Sequence, residues 1–153
     1  MHTFSSTVWD RLNGTMQAST TQQYSLRLSL AQYRQAIARD LEVLLNTRVA
    51  ITAEELDQYP VCKESIVNFG LADFAQLCLT SSEDRKEICD RLVAAIARHE
   101  PRLAQVRAQL VEERGVVNRL SFKISARLFA QAGDDPVQFN ILLEPSSLHY
   151  VIR

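Results

Sequence analysis

The sequence predicts an α+β fold, with N-terminal helices packed on a mainly antiparallel sheet of about four to five strands. Two observations predict it. Apolar residues recur at steps of three and four up to His99, then at steps of two beyond Pro101. Gly and Pro separate the later runs, and links that short suit antiparallel hairpins. Helices first and a meander of strands after them place the helices over one apolar face. A chain of 153 residues is long enough for one domain with a sizeable core.

The chain opens with Phe4, Val8, Trp9 and Leu12 near one face of a short helix, broken at Asn13-Gly14. Gly14 to Tyr24 is rich in Ser, Thr and Gln and reads as a linker. Residues 1–24 are therefore expected to form an arm, and 25–153 the main domain. The helix is too short to be stable alone, so Val8, Trp9 and Leu12 either fold back on the domain or dock on a partner.

Leu26, Leu30, Tyr33, Ile37, Leu41 and Leu44 form the core-facing stripe of a long helix. It is expected to stop near Asn46-Thr47-Arg48, because Asn tolerates the left-handed conformation of a C-terminal stop. Val49 to Leu79 is irregular, with Pro60 and Gly70 as punctuation. Its apolar clusters, Ile66-Val67 with Phe69 and then Leu71, Phe74 and Leu77, predict single helical turns packed on the core. Ser81-Ser82-Glu83-Asp84 carries a Ser cap and first-turn acids, and predicts a helix with Ile88, Leu92, Ala95 and Ile96 inward. Pro101 stops it.

Three alternating runs follow: Ala104 to Leu110, Leu120 to Leu128 and Val137 to Leu143. Each reads as a strand with one dry face. Turns are expected around Gly115, at Gly133-Asp134-Asp135-Pro136 and at Glu144-Pro145, and a last short strand at Leu148 to Ile152.

Composition narrows the function. A net charge of −1, with no basic block, argues against a general binder of nucleic acid or anionic membranes. The first residues lack the basic and apolar regions of a secretory signal, and no apolar run is long enough to span a bilayer. The three cysteines (Cys62, Cys78 and Cys89) are irregularly spaced, which suits a reducing compartment. The expectation is a cytoplasmic protein.

Chemistry is sparse. The cysteines and the histidines (His2, His99 and His149) show no CxxC, HxxxH or HxH pair, so no metal is expected. Four glycines supply neither GxGxxG nor a Walker loop, GxSxG is missing, and no cofactor is expected. Glu54, Glu55, Asp57 and Glu64 could in principle supply the two carboxylates of a glycosidase, but they read equally as solvated surface.

Glu100-Pro101-Arg102 stands out. A helix C-terminus favours cations; Arg98 and His99 obey this, and Glu100 violates it by roughly 0.3–1 kcal/mol. Pro101 stiffens the turn and biases Glu100 away from helix. The corner displays a carboxylate and a guanidinium, either as an internal brace or as a rigid pair offered to a partner.

Four ordered segments carry a family resemblance: Val8-Trp9-Asp10-Arg11-Leu12, Leu44-Leu45-Asn46-Thr47-Arg48, Ser65 to Phe74 around Asn68-Phe69-Gly70, and Glu100-Pro101-Arg102-Leu103. Together they resemble TssE, the small baseplate subunit of bacterial type VI secretion systems, which is similar to the small wedge protein of contractile phage baseplates. Phe69 stands where the family has Tyr, and Ala72 where it has Pro. The resemblance implies a structural protein and not an enzyme, held in a cytoplasmic baseplate docked at the inner membrane complex, without inserting in the membrane. It implies the baseplate subunits TssF, TssG and TssK and the sheath subunits TssB and TssC as partners, with the tube and spike as further neighbours. It also implies a role in joining wedge to sheath and starting sheath assembly, by offering a sheet edge to incoming strands. Two alternatives share the family's fold or its historical label: an anti-adaptor that protects a stress sigma factor from proteolysis, and a muramidase.

Overall fold

The computed structural model describes residues 4–5, 27–74, 77, 81–111, 120–130, 133–144 and 149–152. Phe4–Ser5 (β1) pairs antiparallel with Arg27–Leu28 (β2), so the predicted short helix does not begin at Phe4. Val8, Trp9, Leu12 and the Gly14–Tyr24 linker lie outside the described residues.

The first long helix, α1, spans Leu30–Asn46. Ser29 and Gln32 close a capping box at its start: the Gln32 amide donates to Ser29 Oγ at 3.3 Å, and the Ser29 amide donates to Gln32 Oε1 at 2.9 Å. The cap fixes the start four residues after Leu26. Leu30 is left in the exposed first turn and not on the core stripe, which begins at Tyr33 and runs through Ile37, Leu41 and Leu44.

The stop of α1 differs from the expectation. Asn46 is the last helical residue, and the cap Thr47 is extended at φ −88° and ψ 136°, so no left-handed residue ends the helix. The Asn46 side chain makes a tertiary connection instead, described below.

The segment after α1 forms α2 (Ala53–Gln58) and two 3-10 helices, Pro60–Glu64 and Ile66–Asn68. Phe69, Leu71, Phe74 and Leu77 pack on the core as predicted. Ile66 and Val67 do not: both are exposed. Then α3 spans Ser82–His99, capped by Ser81 Oγ accepting from the Asp84 amide at 3.3 Å. Its buried residues are Ile88, Leu92, Ala95 and Ile96, the predicted face.

The sheet is a four-stranded antiparallel meander in the order β3 (Leu103–Val111), β4 (Leu120–Ala130), β5 (Gly133–Glu144) and β6 (His149–Ile152). Phe122, Ile124, Ala126 and Leu128 on β4 and Val137, Phe139 and Ile141 on β5 are buried, confirming the alternation. In β3 the register shifts between Ala104 and Arg107, and Gln105 adopts φ 52°, the geometry of a bulge.

One turn moves. Gly133 to Pro136 is the start of β5, with Gly133 opposite Ala130 and Pro136 opposite Arg127. Proline is tolerated there because β6 pairs only with Ile141–Glu144, so among the described residues Pro136 needs no second ladder partner. Helix α1 lies against β6 and α3 against β3, closing one core around Ile37, Leu41, Leu92, Ile96, Ile124 and Leu128. Burying each such side chain contributes roughly 1.5–3 kcal/mol.

Candidate functional site

The C-terminal ends of α1 and α3 meet, and three of the sequence motifs meet with them. Helix α3 ends at Glu100, whose amide bonds the Ile96 carbonyl at 2.8 Å. Pro101 then turns the chain outward and is exposed. Two further bonds tie the corner to the sheet: the Leu103 amide donates to the Glu100 carbonyl at 3.1 Å, and the Phe129 amide to the Arg102 carbonyl at 2.8 Å.

Inside the corner, Glu100 and Arg102 face each other. Glu100 is only 4% exposed. Its carboxylate accepts from both Nε and Nη2 of Arg102, a forked pairing that a planar guanidinium is shaped to make. Nη2 also donates to Asp40 Oδ2 of α1 at 2.5 Å, so one cation binds two helices together. The guanidinium lies 5.9 Å from the Tyr33 ring centroid, over its face. Burial works against the charge on Arg102, but the hydrogen bonds and charges of Glu100 and Asp40 outweigh it and hold Arg102 protonated above its ordinary range. Burial pushes the Tyr33 hydroxyl up, with Arg102 opposing.

One atom of this cluster is left over. Arg102 Nη1 is buried and has no hydrogen-bond partner among the described residues. The cluster borders a cleft of about 500 Å³ whose apolar lining includes Val43, Leu44, Phe69 and Pro101.

The second motif seals the side of the cleft. Asn68 is buried; its Nδ2 donates to the Lys63 carbonyl at 2.8 Å, and its own carbonyl accepts from His99 Nε2 at 2.9 Å. That bond places the proton on Nε2. The Phe69 ring meets His99 edge-on, with centroids 5.2 Å apart. His99 is thus a packed, bonded residue.

Gly70 joins the second motif to the third. At φ +122° it occupies backbone space nearly reserved for glycine, and a Cβ there would sit 2.6 Å from the Thr47 carbonyl oxygen. This close approach lets the Leu71 amide donate to Thr47 O at 2.9 Å and the Val49 amide to Leu71 O at 3.0 Å. Thr47 Oγ1 donates back to the Val43 carbonyl at 2.8 Å, and Arg48 Nη1 to the Leu45 carbonyl at 3.0 Å. The Arg48 guanidinium also lies 5.8 Å from the Tyr150 ring centroid.

Asn46 reaches furthest. Its amide clasps Tyr150, 104 residues away, on both backbone polar atoms. The motif residues Asn46, Thr47, Arg48, Asn68, Phe69, Gly70, Glu100 and Arg102 therefore form one connected region. Asp40 and Tyr150 complete it and were not singled out from the sequence. Asp40 carried a signal: it falls three residues after Ile37 and four before Leu44, a carboxylate on the edge of an apolar stripe. Tyr150 carried none.

Among the described residues, no group of three or more His, Cys, Asp or Glu side chains is placed to hold a metal ion. No helix among them is long and apolar enough to cross a membrane. The arrangement can brace and bind.

The sequence profile described as baseplate wedge protein gp25 matches residues 31–132, about two thirds of the chain. No curated protein gives a significant match.

Proposed function

The chain belongs to the baseplate wedge protein gp25 family, and from that premise we propose that it is the TssE-like subunit of a type VI secretion baseplate. The coarse role follows from the family: a structural part of a baseplate, in contact with other baseplate components. The finer role rests on the chain's own residues. The proposed place is cytoplasmic, in a baseplate docked at the inner membrane complex, between a TssF–TssG wedge with TssK and a sheath of TssB and TssC.

The single observation that carries this reading is the Glu100–Arg102–Asp40 cluster at the mouth of an apolar cleft. The fork holds the corner rigid beside the apolar lining of the cleft. A wedge subunit that inserts an apolar side chain would fill that cleft.

Sheath joining is proposed to use strand addition to the sheet. The edge is more restricted than a bare terminal strand. Both polar atoms of Tyr150 point away from β5 and are engaged by Asn46, so an incoming strand must replace that amide to pair there. Among the described residues, β3 has β4 as its one strand neighbour, and its outer side is the longer alternative.

The reading is tested by mixing the purified chain with TssB and TssC subunits and timing the start of sheath polymerisation. A shortened lag supports it. An unchanged lag removes the sheath-joining part, whatever happens at the wedge.

A further inference from the structure

We propose that Ala53–Asn68 forms a second docking surface, of exposed apolar and acidic side chains, that receives a basic amphipathic helix of a neighbouring baseplate subunit. The proposal rests on the baseplate reading, but it concerns a surface that none of the Glu100–Arg102 chemistry uses.

The segment buries one large apolar side chain, Leu56. Tyr59, Val61, Ile66 and Val67 are large apolar residues exposed by 62%, 88%, 85% and 48% within nine positions. The 3-10 helix Pro60–Glu64 buries none of its own residues. Ordering such a stretch costs conformational entropy that burial does not offset here. Polar links hold it instead: the Thr52–Glu55 capping box, Ser65 Oγ donating to Cys62 O at 2.8 Å, and Asn68 Nδ2 donating to Lys63 O at 2.8 Å. The His99–Asn68 bond then fastens the whole segment to the end of α3. Scattered apolar residues on a surface are ordinary; four on consecutive fixed turns mark an interaction site.

Charge names the partner. The segment holds Glu54, Glu55, Asp57 and Glu64 against Lys63, a net charge of −3 in a chain whose total is −1. Glu54 and Glu64 are exposed, and Lys63 pairs with Asp57. A complementary surface therefore carries both basic and apolar side chains. Backbone geometry names the form. The 3-10 turns spend their amides on internal bonds, such as Cys62 to Tyr59 and Asn68 to Ser65, and offer no ladder to a strand. Side chains alone face the partner, which suits the apolar face of a helix.

The test measures binding of the full chain to the purified TssF–TssG wedge complex over a range of salt concentrations, with thermal melts as folding controls. Val61→Asp with Ile66→Asp should leave the melt unchanged and weaken binding at least tenfold. Glu54→Lys with Glu64→Lys should weaken it at least fivefold and flatten its salt dependence. Ala94→Asp, an exposed site on α3, should bind as the wild type does. Wild-type affinity and salt dependence in both double variants overturn the proposal while leaving the baseplate reading intact. A loss confined to the apolar variant overturns the basic partner. Failure of the wild type to bind at all overturns the reading on which the proposal rests.

Discussion

Asn46 holds Tyr150 by both of its backbone polar atoms: the Tyr150 amide donates to Asn46 Oδ1 at 2.8 Å, and Asn46 Nδ2 donates to the Tyr150 carbonyl at 2.9 Å. Nδ2 also donates to the Glu42 carbonyl at 2.8 Å. One amide thus finishes α1 and stands in for a strand on the outer side of β6. Asn46→Ala should cost about 1–3 kcal/mol, because the strand's polar atoms lose partners and the site is partly buried. Amide exchange at Tyr150 should speed up more than at Phe122 in the centre of the sheet. Unchanged exchange at Tyr150 would show that the clasp does not hold β6.

The Glu100–Arg102 fork is an internal brace before it is anything else. The Arg102 side chain is 17% exposed and that of Glu100 5%, so removing Arg102 strands the Glu100 carboxylate in a poorly solvated corner, whereas removing Glu100 leaves Arg102 with Asp40. Arg102→Ala should lower stability by about 3–5 kcal/mol, as read by urea unfolding, and Glu100→Ala by less. The double variant should lose less than the sum of the two. Arg102→Lys should not restore the loss, since an ammonium cannot fork to Glu100 and reach Asp40 together. Losses within about 1 kcal/mol, the range of exposed pairs, would make the fork a surface contact only.

Gly70→Ala should destabilise the fold by roughly 1–3 kcal/mol from backbone strain alone, with more from the clash at Thr47. Thermal melting checks it. A variant as stable as the wild type would mean that the Thr47–Gly70 approach is easily relaxed.

Stability should fall in alkali. Burial pushes the hydroxyl of Tyr150 above its ordinary value, with Arg48 opposing, and burial does the same to Tyr33. The folded chain holds these protons after the unfolded chain has released them, so unfolding is favoured as pH rises beyond about 10. Below that, both states are neutral and the effect vanishes. Burial raises the Cys89 thiol too, so urea unfolding from pH 8 to 11 should show a decline that begins with that thiol and steepens beyond about pH 10. Tyr150→Phe should make the decline shallower by up to about 1.4 kcal/mol per pH unit. A decline of equal slope in that variant would assign it to other groups.

The sequence made α3 and the sheet readable because their burial follows simple periods: Ile88, Leu92, Ala95 and Ile96 at helical steps, Phe122 to Leu128 at steps of two. Local rules misled where a tertiary contact decided the outcome. Asn46 looked like a left-handed stop, but its amide is used by Tyr150, a residue 104 positions away that no local pattern connects to it. Gly133-Asp134-Asp135-Pro136 has turn composition, yet β6 is too short to reach it, so Pro136 fits within β5. Glu100 was legible as an oddity of helix electrostatics. Its resolution needed Asp40, which is 62 residues from Arg102 in the chain.

The proposed seat of this baseplate subunit on its wedge is the braced corner. The most direct test is sedimentation of the purified chain with the TssF–TssG wedge complex, comparing the wild type with Val43→Asp, an exposed change in the lining of the cleft. The wild type should form a stable complex, and Val43→Asp should assemble weakly with an unchanged melt. A folded wild-type chain that sediments apart from the wedge would contradict it.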